Sequence, residues 1–171
     1  RSLFSKFETI EDILPAIPIV EEATTGEVKK LKNNAFSIIN KLFRDHVTCR
    51  SKIPKSRWGE LNVLVNLLEN EKKMSSNVES LTQYYKHTDQ VEKIQQLLKK
   101  STNEGKKNIM YELTSCGWAS DCKVDVSALI PVLISLHLTH KNKEVKSLAL
   151  RKLEDTASSK DAKGVLDEIS R

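Results

Sequence analysis

The residues that carry most enzyme chemistry are thinly spread in this 171-residue chain. Its histidines are His46, His87, His137 and His140, and its cysteines are Cys49, Cys116 and Cys122. His137 and His140 stand three apart, a spacing at which two imidazoles share one helix face and can grip a metal. No Asp, Glu or Cys stands within that motif to complete a tetrahedral set. The dipole alone also favours two histidines at a helix C-terminus. His46 with Cys49, and Cys116 with Cys122, offer a Cys3His set, but their spacings of three and six miss the close pairs of zinc sites. Cys49 beside His46 suggests an activated thiolate, yet the pair lacks an orienting group and an oxyanion donor. There is no Gly-rich phosphate cradle, no Walker loop and no His-Glu-x-x-His. Glu69, Glu71, Glu144, Glu154 and Asp155 interleave with basic residues, as on solvated helix faces. This pattern predicts no catalytic residue, no metal and no cofactor. The expectation is a non-enzymatic chain without a small-molecule substrate.

Binding chemistry is better represented. Residues 29–57 hold nine basic side chains against the single acid Asp45, a net of +8 within a chain of net +5. Residues 1–28 carry two basic and six acidic side chains, a net of −4. Clustered cations focus a field that draws anionic partners. Lys41, Arg44, Arg50, Lys52, Lys55 and Arg57 form the candidate binding surface. Trp58 follows directly, and an aromatic beside cations can stack a base or a partner side chain. The plainer reading of Trp58 is a staple that fixes the basic loop to the helix below it. Likewise, the acidic arm can fold back and cancel much of the patch. Tyr84 and Tyr85 are adjacent, so on a helix they point apart; one packs inward and the other is an interface candidate. Tyr84 joins the candidate surface, and Trp118 in a Gly-containing loop is a further anchor.

The elements that must position these groups are helical. Gly and Pro number only 5 and 4, and no segment alternates as a strand does. Residues 1–26 read as an N-terminal arm, partly extended. Thr9 with Asp12 can cap a short turn, Pro15 and Pro18 end any helix, and 17–20 lie extended over an apolar groove. Residues 27–171 read as a single helical domain. Thr24 and Glu27 form a capping box for a helix over 26–46, striped by Val28, Leu31, Ala35, Ile38 and Leu42 and widened by Ile39 and Phe43. After a basic loop at 47–56, Ser56 caps a helix to about residue 72, with Leu61, Leu64, Val65 and Leu68 inward. Ser76 with Glu79 opens the next helix, to about residue 87. Thr88, with Asp89 in the first turn, opens another to about residue 100. A helix bearing Ile109, Met110 and Leu113 follows, with Gly117 as its terminator. Helices over 126–139, 143–157 and 161–169 complete the chain; Pro131 predicts a late start or a kink in the first of them.

Residues 129–136, the polar turn 139–143 and residues 144–153 resemble a HEAT repeat. Pro131 and closely spaced leucines stand where that family's outer helix has them; Val145 and Ala149 match its inner helix. The resemblance covers 126–157 and implies a binding scaffold without chemistry of its own. The expected fold is all-α: seven or eight helices in antiparallel hairpins, as an irregular HEAT-like superhelix or a helical bundle.

The chain opens on Arg1 without Met, which suggests a piece of a longer protein. An odd cysteine count, no Asn-x-Ser/Thr acceptor and no long apolar run predict an intracellular chain, nuclear or cytoplasmic, with no membrane contact. The first expectation for function is a protein-interaction scaffold whose partner is a protein, possibly an acidic one. The alternative is nucleic-acid binding through 29–57.

Overall fold

A computed structural model describes residues 9–48, 51–113, 127–156 and Asp167. Arg50, the three cysteines, Gly117, Trp118 and the helix expected at 161–169, Asp167 apart, lie outside the described residues. Among the described residues the regular structure is entirely helical, with no strand.

Thr9 opens α1 (Ile10–Ile13), and its backbone N–H donates to Asp12 Oδ2 at 3.2 Å. The two prolines do not stop the chain from coiling. Pro15 sits in a 3-10 turn at Leu14–Ala16, and Pro18 sits in the first turn of α2 (Ile17–Thr25). First-turn positions have no intrahelical acceptor for an N–H, so proline loses nothing there. The stretch expected to be extended at 17–20 is therefore helical, and the arm belongs to the domain. Ile13, Ile17 and Val20 meet Ile39 and Leu42 of α3 (Lys29–His46) and Leu64 of α4 (Asn62–Asn70) in one apolar junction.

The expected capping box of Thr24 with Glu27 does not form. The Thr24 hydroxyl instead bonds back to the Glu21 carbonyl at 2.8 Å, and α3 starts two residues past Glu27 with Val28 as its cap. Val28 and Leu31, expected inside, are 57% and 54% exposed. The buried stripe of α3 starts at Ala35 and includes Phe36 and Asn40.

A 3-10 helix at Lys55–Leu61 leads into α4, with Pro54 rather than Ser56 at its cap. Then α5 (Ser75–His87) starts behind Met74. Ser76 makes no capping box with Glu79, because its hydroxyl accepts from Asn40 Nδ2 at 3.1 Å. Asp89, at φ 57°, closes α5 in the left-handed region, which Asp tolerates better than most side chains. The Thr88 hydroxyl turns back to the Tyr84 carbonyl at 2.6 Å. Hence α6 (Val91–Lys100) begins later than Thr88 and Asp89 suggested. Thr102 caps α7 (Asn103–Glu112) by accepting from Gly105 N at 3.1 Å. The late start expected from Pro131 is present. A 3-10 turn at Ser127–Leu129 precedes α8 (Ile130–Thr139), with the proline in its first turn. Asn142 Oδ1 accepts from Val145 N at 3.1 Å at the start of α9 (Lys143–Thr156).

Short turns pair the helices as α2 with α3, α4 with α5, α6 with α7 and α8 with α9. The second member of each pair packs on the next: α3 on α5, α5 on α7, and α7 on α9. On the other side, α2 packs on α4, and α6 packs on the turn that leads into α8. Ala149 is fully buried, so α9 and α8 approach closely there.

At the centre, α5 touches α3, α4, α6 and α7 and is buried on nearly every side. Several of its polar side chains are bonded. Asn40 Nδ2 donates to Asn77 Oδ1 at 2.9 Å, Ser80 Oγ donates to Asn40 Oδ1 at 2.6 Å, and Asn77 Nδ2 donates to the Glu71 carbonyl at 3.1 Å. Lys86, 1% exposed, donates to the Glu112 carbonyl at the end of α7 at 2.7 Å. Lys106 does the same for the Ser101 carbonyl at the end of α6, also at 2.7 Å. These ammonium groups supply donors to helix-end carbonyls that lack them, at the negative pole of the dipole. Asn40→Ala strands Asn77 and Ser80 in the interior. Urea unfolding of that variant is expected to show a loss of about 2 kcal/mol; an unchanged midpoint would remove the network from the account of stability.

Candidate functional site

The sequence points first to the basic segment, and the structure divides it. On α3, Lys41 pairs with Asp45 at 3.4 Å, one turn on. Arg44 is exposed. It opposes the rise in the Glu79 pKa that burial and Glu112 cause. Lys52 and Lys55 are exposed. Arg57 is held by two acids: Nε donates to Glu60 Oε2 at 2.7 Å, and Nη1 bonds to Glu11 of α1. Both bonds raise the guanidinium pKa, and the Arg57 bond lowers that of Glu11. Glu11 of the acidic arm thus reaches the basic segment, as its charge allowed. Lys32 is likewise paired, with Glu71 at 2.7 Å.

The two aromatic candidates are corrected. Trp58 is 3% exposed, and its indole N–H donates to the Ile53 carbonyl at 3.2 Å. Its ring meets the His87 imidazole edge to face, with centroids 6.1 Å apart. It staples the loop, and no face is left for a base. Tyr84 is 7% exposed, and its hydroxyl donates to Asn62 Oδ1 at 3.2 Å. Tyr85 is buried as well, with its hydroxyl on Glu69. Adjacent helical positions point apart, but α5 has neighbours on both sides, so both rings become core.

The histidine pair is occupied by structure. His137 Nδ1 donates to the Lys146 carbonyl at 3.1 Å, tying α8 to α9. His140 Nδ1 accepts from Asn142 N at 3.1 Å. Among the described residues, no three His, Cys, Asp or Glu side chains group as a metal site, and no helix is long and apolar enough to cross a membrane.

A groove lies elsewhere among the described residues. It has a volume of about 530 Å³ and runs between α7 and α9. Lys107 of α7 bridges its near end, bonding Glu104 Oε2 at 3.0 Å and Glu144 Oε2 of α9 at 2.7 Å. These bonds raise the Lys107 pKa, and Lys107 lowers that of Glu144. Further along, Tyr111 stands 53% exposed above buried Leu148, and the Lys152 ammonium lies 5.5 Å from its ring centroid. Lys107 meets Glu144, and Tyr111 further along α7 meets Lys152 further along α9, so α7 and α9 run parallel. Lys143 and Arg151 line the same groove. None of these residues belonged to the expected surface. The available signal was Tyr111 itself, an aromatic set off the apolar stripe of Ile109, Met110 and Leu113.

One buried group beside the basic segment titrates. Burial, then the Lys86 and Lys55 ammonium groups, push the His87 pKa down to about 4, below its ordinary 6.5. The unfolded chain therefore takes up this proton first as pH falls. Stability is full above about pH 6.5 and declines toward pH 4, by at most about 1.4 kcal/mol per pH unit. Urea midpoints from pH 7.5 to 4.5 should fall less steeply for His87→Gln than for the parent chain. Equal slopes would show that His87 is not responsible.

No protein-family model, curated protein or solved structure matches this chain, which leaves its own geometry as the guide to what it does.

Proposed function

We propose that this chain is a non-enzymatic scaffold domain that docks a partner protein in the groove between α7 and α9. One observation carries the reading: Tyr111 stands half exposed within a groove of about 530 Å³ that it lines together with Leu148 and a set of charged side chains. Exposed aromatics over an apolar floor are the usual anchors of protein interfaces. The groove carboxylates Glu104 and Glu144 are engaged by Lys107, which favours docking over acid–base chemistry. Successive packing of α3, α5, α7 and α9 supports a HEAT-like stack, an architecture suited to presenting such a surface.

Phosphate docking on 29–57 has less support. Lys41 and Arg57 already hold acids, and Trp58 is buried.

The test is selection of random phage-displayed peptides on the intact chain. Enriched peptides are expected to lose at least tenfold in affinity to Tyr111→Ala, with an unchanged melting temperature, and to ignore charge reversal at Lys52 and Arg57. Peptides indifferent to Tyr111→Ala would overturn the assignment. So would an oligonucleotide bound with a steep salt dependence that the Lys52 and Arg57 reversals abolish.

A further inference from the structure

The charges of the α7–α9 groove are unevenly compensated. Its two carboxylates, Glu104 and Glu144, both hold Lys107. Lys143 and Arg151, exposed on α9, have no ion-pair partner among the described residues. Lys152, buried, lies against the Tyr111 ring. The groove's acids thus share Lys107, and two exposed cations of α9, Lys143 and Arg151, flank them.

The spacing of these cations is set by the helix. Lys143 and Arg151 are eight residues apart on α9, which is about 12 Å along the axis. Leu148 falls between them on the same helix, and Tyr111 of α7 lines the same groove. An extended peptide advances about 3.3 Å per residue, so it spans that distance in about four residues.

Resting on the groove as the docking site, we propose that its occupant is an extended acidic segment of a partner protein. The segment carries two carboxylates about four residues apart, with an apolar or aromatic side chain midway. One carboxylate meets Lys143 and the other meets Arg151 as a planar fork. The central side chain lies on Tyr111 above Leu148. Guanidinium and carboxylate match in a bidentate geometry that an ammonium does not reproduce, so Arg151 sets orientation as well as charge. Both ion pairs lie near solvent, so salt weakens the complex.

The experiment is fluorescence anisotropy with the full chain and three labelled peptides. The first has glutamates at its first and fifth positions and phenylalanine at its third, in a Gly-Ser background. The second replaces phenylalanine by serine, and the third replaces both glutamates by lysine. The first is expected to bind at least tenfold tighter than the third, and several-fold tighter than the second. Arg151→Glu should cost at least tenfold and Lys143→Glu several-fold. Tyr111→Ala should erase the advantage of phenylalanine over serine. Circular dichroism melts of the same variants report folding separately. Equal binding of acidic and basic peptides would overturn the proposal. So would acidic-peptide binding that survives Arg151→Glu and is lost in Lys52→Glu, which places the acid on the basic segment. If acidic peptides fail while selected peptides of other composition still depend on Tyr111, the acidic assignment falls and groove docking stands. If no peptide depends on Tyr111, both fall.

Discussion

Asn40 of α3 and Asn77 of α5 meet in the interior, and much of the packing follows from that contact. Amides buried away from water must find partners, and these two find them only in one register of the helices. Ser76 and Ser80 bond Asn40 from the same helix, so a shift of α5 by one residue would break every bond at once. Apolar contacts alone tolerate such slips. The polar cluster therefore fixes α5, and α5 touches four neighbours. Its far end then sets α7, because Lys86 reaches the Glu112 carbonyl. In turn α7 sets α9 through Lys107 and Glu144.

The groove is a by-product of this relay. One face of α7, bearing Ile109 and Met110, is fully buried toward the stack. Another face carries Lys107 and Tyr111, which reach Glu144 and Lys152 of α9. Space remains between α7 and α9, and charged and aromatic groups border it.

The apolar stripe of α4 is legible in the sequence, since burial at three- and four-residue steps is a local pattern. So is the capped turn at Thr9. The failures share a cause: each concerned a residue with two local uses. Thr24 and Ser76 fit capping boxes, but one bonded back along its own helix and the other turned to Asn40 on a different helix. Pro15 and Pro18 were read as stops when first-turn positions suit them equally well. Trp58 and Tyr84 have informative sequence neighbours, but their burial is decided by distant ones: Ile53 and His87 for Trp58, Asn62 and Phe43 for Tyr84. The groove was beyond local reading altogether, because its bridging pair is 37 residues apart.

The two lysines buried at helix ends have a consequence for how the molecule can be watched. Lys86 and Lys106 close the carbonyl ends of α7 and α6. An amine-reactive reagent needs a free, neutral and accessible nitrogen. Neither amine offers that while its helix end is closed, whereas lysines on the outer faces react at once. The rate at which these two amines are acylated therefore measures how often the ends of α7 and α6 open. The native side chains thus act as built-in clocks for the breathing of the helix that carries Tyr111.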